Sequence, residues 1–166
     1  MKESVQQAIK EAISNAPAMY SRLILLVGPS GCGKTYALQE ISAEYKKKIL
    51  NVNLEMSKAL LELPIQRRQS RVQHVFDDML RDFLGNENPE TAIILLDNLE
   101  ILFDKDLKQD PLLLLQKISR NLTIVASWNG SYANQRLTFA ISGHPEYRFY
   151  DKIDAQILEL VKEGVV

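Results

Sequence analysis

The sequence predicts an α/β fold in which a mostly parallel five-stranded sheet, flanked by helices, forms a three-layer core. Continuous apolar runs at residues 23–27, 92–96 and 122–127 are typical of strands buried on both faces of a parallel sheet. Residues 49–54 and 136–142 predict the other two strands, and the alternating polar positions of 49–54 favour a place at the sheet edge. Segments with helical spacing separate most of these runs, which is the pattern of parallel strands joined by crossover helices.

Apolar residues at helical spacing predict the flanking helices. The clearest case is near the N-terminus, where Val5, Ala8, Ile9, Ala12 and Ile13 fall on one face. The same reasoning predicts helices at residues 3–15, 36–45, 57–63, 67–84, 111–120 and 151–166. We therefore expect a single domain over residues 1–166, with an N-terminal helix at 3–15 and a C-terminal helix at 151–166.

The composition excludes several classes of protein. A length of 166 residues with 46% hydrophobic and 25% charged residues is typical of one globular domain. The formal net charge of −1 gives no overall field that attracts nucleic acid or a membrane, although a local basic patch remains open. No apolar run approaches the roughly 20 residues of a membrane-spanning helix, and the first residues lack the apolar core of a signal peptide. The single cysteine, Cys32, excludes an intramolecular disulfide, and we expect a cytoplasmic protein.

One glycine-rich segment carries the chemistry around which the rest is arranged. It lies between the first apolar run and a helical segment, and it matches G-x-x-x-x-G-K-[ST] with Gly28, Pro29, Ser30, Gly31, Cys32, Gly33, Lys34 and Thr35. The three glycines permit the tight curvature and positive φ angles with which main-chain amides surround a polyphosphate, and the next helix adds its positive end. We expect Lys34 to reach the β and γ phosphates and the Thr35 hydroxyl to ligate Mg²⁺. The segment therefore predicts a P-loop core that binds ATP and Mg²⁺.

A second apolar run ends in a carboxylate downstream of this loop. Asp97 follows residues 92–96, and an aspartate there is the form of a Walker B element, which holds Mg²⁺ on hard oxygen ligands. The alternative is an aspartate that caps a helix. In many P-loop ATPases with an additional strand, a glutamate directly follows the aspartate and activates water. Here Asn98 takes that position and the first glutamate is Glu100, so Asn98 is a candidate for positioning water and Glu100 for the base, and turnover by the chain alone stays open.

Polar and basic residues after the third run complete the candidate site. Asn129 follows residues 122–127, where P-loop ATPases with an additional strand often place a residue that senses the γ phosphate. Ser127 is the second candidate, and a structural asparagine–glycine turn is the alternative for Asn129. Phosphoryl transfer often takes a cation from a neighbour, and Arg136 and Arg148 are the candidates for this arginine finger or sensor.

Four motifs give the chain a family resemblance. They are GPSGCGKT at 28–35, ILLDNLEILF at 94–103, IVASWNG at 124–130 and GHPEYRFYD at 143–151. Together they resemble the BrxF-type small P-loop ATPases of bacteriophage-exclusion (BREX) defence systems, and more broadly a minimal AAA+ protein of the additional-strand (ASCE) division without a full lid domain. The resemblance implies an accessory ATPase of a bacterial anti-phage system that assembles with itself, with partner proteins or with DNA. It places nucleotide binding on residues 28–35 and Asp97, and extends the site to Glu100 and Asn129.

Three functional classes follow from these features. The first is an ATP-binding, Mg²⁺-dependent NTPase whose nucleotide state changes its assembly with itself, partners or DNA. The second is a P-loop kinase of a nucleoside or polynucleotide, for which Arg67, Arg68 and Arg71 would have to cover the phosphates; the alternative for these arginines is a solvated start of a helix. The third is a nucleotide-binding switch without turnover. Release of phosphate, transfer of phosphate or neither separates the three classes.

Overall fold

The computed structural model describes residues 2–140, 146–161 and 164–165. The helices are α1 Lys2–Asn15, α2 Lys34–Tyr45, α3 Val52–Leu61, α4 Ile65–Leu84 and α5 Pro111–Ile118. The strands are β1 Leu23–Gly28, β2 Ile49–Asn51, β3 Ile93–Asp97, β4 Thr123–Ala133, β5 Arg136–Phe139, β6 Arg148–Tyr150, β7 Gln156–Val161 and β8 Gly164–Val165. Short 3₁₀ turns lie at Ala16–Ala18, Glu100–Phe103 and Lys105–Leu107. In the described part of the chain, none of the helices combines the length and the apolar character that crossing a membrane requires.

The main sheet has the strand order β2-β3-β4-β1-β7, and every neighbouring pair in it is parallel. Strand β4 lies between β1, which leads into the glycine-rich loop, and β3, which ends at Asp97. This is the position of the additional strand. The predicted α/β fold with a mostly parallel sheet and flanking helices is therefore confirmed, and β2 lies at the sheet edge as its alternating sequence predicted.

The core lies on both faces of this sheet, because successive side chains of a strand point to opposite sides. On one face, Ile24 and Leu26 of β1 pack in a cluster with buried residues of α1 and α2. On the other face, Leu23 and Leu25 of β1 pack in a larger cluster with buried residues of α3, α4 and α5. The result is three layers, with helices on both sides of the strands whose carboxyl ends carry the candidate site.

The second strand is shorter than the sequence predicted. It ends at Asn51, and α3 begins at Val52 instead of near residue 57. The side chain of Asn51 accepts a hydrogen bond from the Leu54 amide at 3.0 Å, so this asparagine caps the helix. Asparagine favours such a cap because its short side chain satisfies an amide that the helix leaves unpaired. The prediction of strand at residues 52–54 is therefore wrong.

The C-terminal segment is a strand and not the predicted helix at 151–166. Strand β7 pairs in parallel with β1, with Ile24 opposite Gln156 and Val27 opposite Glu159, and β8 then pairs antiparallel with β7. The apolar spacing of this short segment fits either element, and pairing with β7 satisfies main-chain groups of β1 that would otherwise be buried without partners. The fifth parallel strand of the core is thus β7, whereas the predicted strand at 136–142 is β5, which pairs antiparallel with β4; residues 141–142 lie outside the described residues.

Strand β4 continues past the point where the sequence allowed a turn. It runs through Asn129 and Gly130 to Ala133, and the two residues that join it to β5, Asn134 and Gln135, have φ angles of 53° and 60°. Positive φ at both central residues is the signature of a tight two-residue hairpin turn. A Cβ added at Gly130 would lie 1.8 Å from the Thr138 carbonyl oxygen, so close approach of β5 explains this glycine. The asparagine–glycine turn is therefore wrong as an alternative for Asn129.

Candidate functional site

The glycine-rich loop connects β1 to α2 and uses its glycines for two different reasons. Gly31 and Gly33 have φ angles of 82° and 103°, which a residue with a side chain rarely adopts. Gly28 is not in the positive-φ region, contrary to our expectation. A Cβ at Gly28 would lie 2.5 Å from the Cys32 Sγ and 2.7 Å from the Leu160 carbonyl oxygen. Gly28 is therefore required by the space between the loop and β7.

The side chain of Lys34 is buried inside the loop, with 6% of its surface exposed. Its ammonium donates hydrogen bonds to the carbonyl oxygens of Gly28 at 2.7 Å and Pro29 at 2.6 Å, and it lies 3.7 Å from the Cys32 Sγ. Burial lowers the pKa of Lys34 from its ordinary value of 10.5, while Cys32 and two nearby carboxylates oppose that shift. Lys34 thus places a desolvated positive charge at the base of the site.

Asp97 is fixed at the carboxyl end of β3 by three hydrogen bonds. Its Oδ2 accepts from the Thr35 hydroxyl at 2.8 Å, which joins the first turn of α2 to β3. Its Oδ1 accepts from the Ser127 hydroxyl at 2.5 Å and from the Asn98 amide at 3.0 Å. Asp97 is only 7% exposed, and these donors compensate the carboxylate for the water it lacks. Ser127, our second candidate for sensing phosphate, therefore faces the aspartate.

The chain turns sharply after Asp97, and that turn brings Glu100 back over the sheet edge. Asn98 has a φ of 57°, in the left-handed region that asparagine tolerates better than most residues, and its carbonyl accepts from the Asn53 amide at 2.8 Å. Glu100 begins the following 3₁₀ turn, and its Oε1 accepts from the Asn129 Nδ2 at 2.7 Å. Asn129 in turn is opposite Gly28 in the pairing of β4 with β1. The two residues predicted on separate elements are thus in contact.

These residues surround one cavity of about 320 Å³ at the carboxyl ends of the strands. Its lining residues come from the loop and the first turn of α2, from the end of β3 and the turn after it, and from β4, and they are Ser30, Gly31, Gly33, Lys34, Thr35, Tyr36, Asp97, Asn98, Glu100 and Asn129. Main-chain amides, one ammonium, three hydroxyls and two carboxylates form a set of groups suited to a polyphosphate with a hard divalent cation. Tyr36 is the lining residue that the sequence reasoning missed. Its position directly after the loop motif could have indicated that it lines the site. In the structure, 46% of its surface is exposed.

The predicted arginines lie away from this cavity. The Arg148 guanidinium on β6 donates to the Gln109 carbonyl oxygen at 2.6 Å, and the Arg136 guanidinium lies 4.7 Å from the centre of the Phe149 ring. Arg67, Arg68 and Arg71 occupy the first two turns of α4, also outside the cavity lining. Residues 143–145 of the motif that contains Arg148 lie outside the described residues. Neither Arg136 nor Arg148 contributes to the cavity of its own chain.

Comparison with known proteins identifies the family. The family "ATPase family associated with various cellular activities (AAA)" matches residues 24–160, which run from the second residue of β1 to the last but one of β7. The chain therefore belongs to the AAA family. No curated protein gave a significant match.

Solved structures give weaker likenesses. A structure of PCH-2 from C. elegans is 21% identical, with 77% of this chain and 36% of that chain covered and a TM-score of 0.39. A structure concerned with katanin self-assembly is 19% identical, with 75% and 42% covered and a TM-score of 0.44. The chain thus spans less than half the length of either protein.

Proposed function

We propose that this member of the AAA family binds ATP with Mg²⁺ and hydrolyses it. The observation that carries the proposal is the convergence of three pairs of groups on one cavity: the loop with Lys34, Thr35 with Asp97, and Glu100 with Asn129. Each pair corresponds to one requirement of phosphoryl transfer, namely phosphate binding, metal binding and orientation of water.

The residues present fit the nucleotide and its metal. The loop amides and the Lys34 ammonium would bind the phosphates, and the positive end of α2 would add to their attraction. Thr35 Oγ1 and Asp97 Oδ2 lie 2.8 Å apart, and both are the hard oxygen ligands that Mg²⁺ prefers. When bound there, Mg²⁺ would neutralise charge on the phosphates. Ser127 would keep the aspartate in place, because it bonds to the oxygen that faces away from Thr35.

Glu100 is the group we assign to the attacking water. Asn129 holds its Oε1, so the other carboxylate oxygen is available to accept a proton from water as the water attacks the γ phosphate. Asn98 lines the cavity and is the second polar group near that position, although an amide does not act as a base at neutral pH. In this assignment Glu100 acts without being adjacent to Asp97 in sequence, because the turn at Asn98 brings it back.

Steady-state release of phosphate from ATP tests this proposal. We expect Lys34→Ala to abolish release and Glu100→Gln to lower it by about 100-fold or more while ATP binding persists. Lys48→Ala and Glu90→Gln are matched controls, since both side chains are exposed and outside the cavity lining. Equal effects of the control and test substitutions would contradict the assignment. Transfer of label to a nucleoside or a DNA end would favour the kinase class, and binding without release would favour the switch.

Assembly with other copies would supply an arginine to the cavity, in which Lys34 is the one basic side chain among the described lining residues. Arg136 and Arg148 lie on β5 and β6, outside the cavity of their own chain, so we propose that one of them acts at the site of a neighbour. ATP with Mg²⁺ should then shift the sedimentation of the protein from monomer to oligomer. Mixing Lys34→Ala subunits with subunits that carry Arg136→Ala or Arg148→Ala, whichever of the two abolishes phosphate release, should restore release, because each supplies what the other lacks. A single unchanged species and no restoration would contradict this role.

The resemblance to BrxF-type proteins supports a narrower proposal about biology. In it the chain is a cytoplasmic accessory ATPase of an anti-phage BREX system that works with partner proteins or DNA. Phage plating on cells that carry the complete system should rise when the wild-type gene is replaced by Lys34→Ala and should remain low with Lys48→Ala. Equal phage plating with the wild-type gene and with Lys34→Ala would mean that defence does not require the ATPase activity of this chain. Duplex binding that weakens steeply with salt would identify DNA as a partner.

A further inference from the structure

A second and larger concave surface shares no lining residue with the nucleotide cavity. It has a volume of about 810 Å³, and it is bounded by the edge strand β2 and by one face each of α3 and α4. We call it the α3–α4 groove. Its apolar floor includes Leu54 of α3 and Val75, Met79 and Phe83 of α4. Leu54 is 49% exposed, and the other three are only partly buried.

Acidic side chains dominate the rim of the groove. Glu55 and Glu62 lie on the α3 side, and Asp78 and Asp82 lie on the α4 side. The basic groups among the lining residues are Arg71 and His74, and the His74 Nε2 lies 3.0 Å from an oxygen of Asp78. Even with a protonated histidine, the rim carries four negative charges against two positive charges. A phosphate backbone is repelled by such a rim, whereas lysine and arginine side chains are attracted.

The length of the groove along α4 is sufficient for a short helix. The α4 residues that line it extend from Arg71 to Phe83, a length of about 18 Å at 1.5 Å per residue. Two helical faces with an apolar floor between charged rims form the usual receptor for an amphipathic helix. Strand β2 closes one side, and among the described strands it pairs only with β3.

We propose that the α3–α4 groove binds an amphipathic helix of a partner protein that has apolar residues on one face and lysine or arginine beside them. The apolar face covers Leu54, Met79 and Phe83, and the basic residues meet the acidic rim. This surface is separate from the nucleotide cavity and goes beyond the proposed ATPase activity, so binding is measured without nucleotide. Failure of the ATPase assay therefore leaves this proposal standing, and the reverse also holds.

Fluorescence anisotropy of a labelled peptide tests the proposal. The probe is an amphipathic leucine–lysine peptide of about 14 residues, with a leucine–glutamate peptide of the same pattern as its counterpart. We expect the lysine peptide to bind and the glutamate peptide not to bind. The double variant Glu62→Lys, Asp82→Lys should weaken binding at least about tenfold, since both carboxylates are exposed and face the peptide.

Two control variants separate the groove from general attraction. Asp106→Lys with Asp151→Lys makes the same change of net charge at exposed sites outside the groove, and it should weaken binding less than about twofold. Leu54→Asp should abolish binding, whereas Leu61→Asp, on the same helix but outside the groove, should not. Equal losses in test and control variants, or equal binding of both peptides, would overturn the proposal.

A measurement without substitutions completes the test. Titration of the lysine peptide should shift the NMR signal of the Met79 methyl group and leave methyl signals of α1 unchanged. Shifts spread over the whole surface would overturn the proposal. Sedimentation of the protein alone would detect the other occupant: self-association that is lost in the Glu62→Lys, Asp82→Lys variant would assign the groove to a second copy and overturn the partner helix.

Discussion

The Nδ2 of Asn129 donates a hydrogen bond to the Oε1 of Glu100 over 2.7 Å. Asn129 belongs to the strand inserted between β1 and β3, and Glu100 follows β3 by three residues. One contact therefore links the additional strand to the only glutamate in the cavity lining formed by the described residues. The orientation of Glu100 depends on the amide opposite it.

Removing that amide should lower turnover more than binding. Asn129→Ala leaves Glu100 without its donor, so we expect kcat for ATP hydrolysis to fall roughly 10- to 100-fold while KM changes little. Steady-state kinetics measure both constants. Asn121→Ala, at an exposed position outside the cavity lining, is the control. A rise in KM with unchanged kcat would mean that Asn129 binds substrate and does not orient Glu100.

Ser127 should set the Mg²⁺ requirement. Its hydroxyl donates to Oδ1 of Asp97 at 2.5 Å, so Ser127→Ala removes one of the three donors that orient this carboxylate and leaves those of Asn98 and Thr35. We expect the Mg²⁺ concentration for half-maximal hydrolysis to rise about tenfold, because loss of such a supporting partner typically costs a metal site that much affinity. Ser127→Thr should restore the wild-type value, and Ser119→Ala, whose hydroxyl bonds to Gln116, should not change it. An unchanged Mg²⁺ dependence in Ser127→Ala would contradict the role.

A side chain at Gly28 should destabilise the protein, and removing the contact of that side chain with Cys32 should restore only part of the stability. Gly28→Ala brings a methyl group to 2.5 Å from the Cys32 Sγ and 2.7 Å from the Leu160 carbonyl oxygen. Overpacking of this kind costs about 1–3 kcal/mol of unfolding free energy. Adding Cys32→Ala removes the first contact and leaves the second, so urea titration should show partial recovery. Full recovery of the unfolding free energy would mean that the contact with the Leu160 carbonyl of β7 is unimportant. No recovery would mean that the contact with Cys32 is unimportant.

Alkaline pH should destabilise the protein through Tyr150. Burial first, and the nearby Asp110 carboxylate second, raise the pKa of Tyr150 from 10.0 to about 12. Between these values the unfolded chain has lost the phenol proton that the folded chain retains, so the free energy of unfolding falls as the pH rises from about 10 to 12. Tyr150→Phe should lack this component of the fall, whereas Tyr20→Phe, at a 70% exposed position, should retain it. Parallel curves for wild type and Tyr150→Phe would contradict the shifted pKa.

The sequence predicted best the parts of the molecule whose chemistry depends on local order. The loop at 28–35 and the aspartate at the end of β3 require particular residue types in a short segment, and the structure brings Thr35 and Asp97 into contact as that pattern implies. The apolar runs also predicted the positions of β1, β3 and β4 correctly, because a strand buried on both faces contains few polar residues.

The errors arose where a short segment fits two structures. Ile157 and Leu158 suit one face of a helix, yet they form a strand because they pair in parallel with β1. Residues 52–54 continue the polar–apolar alternation of β2, yet the side chain of Asn51 caps α3, and these residues form the first turn of that helix. The contact of Glu100 with Asn129 also could not be predicted from sequence. It depends on the left-handed conformation of Asn98, which redirects the chain and which only the residue type of Asn98 favours. Such features depend on neighbours distant in sequence.

Calorimetric titration of the protein with ATP tests the central claim most directly. With Mg²⁺ present we predict saturable binding at one site per chain, weakened at least about tenfold in Lys34→Ala through loss of a charged partner of the phosphates, and retained in Lys48→Ala. Binding should also weaken when Mg²⁺ is removed, because Thr35 and Asp97 then have no shared cation to hold. The absence of measurable affinity at millimolar ATP with Mg²⁺, in protein shown to be folded, would contradict the assignment of this cavity to a nucleotide.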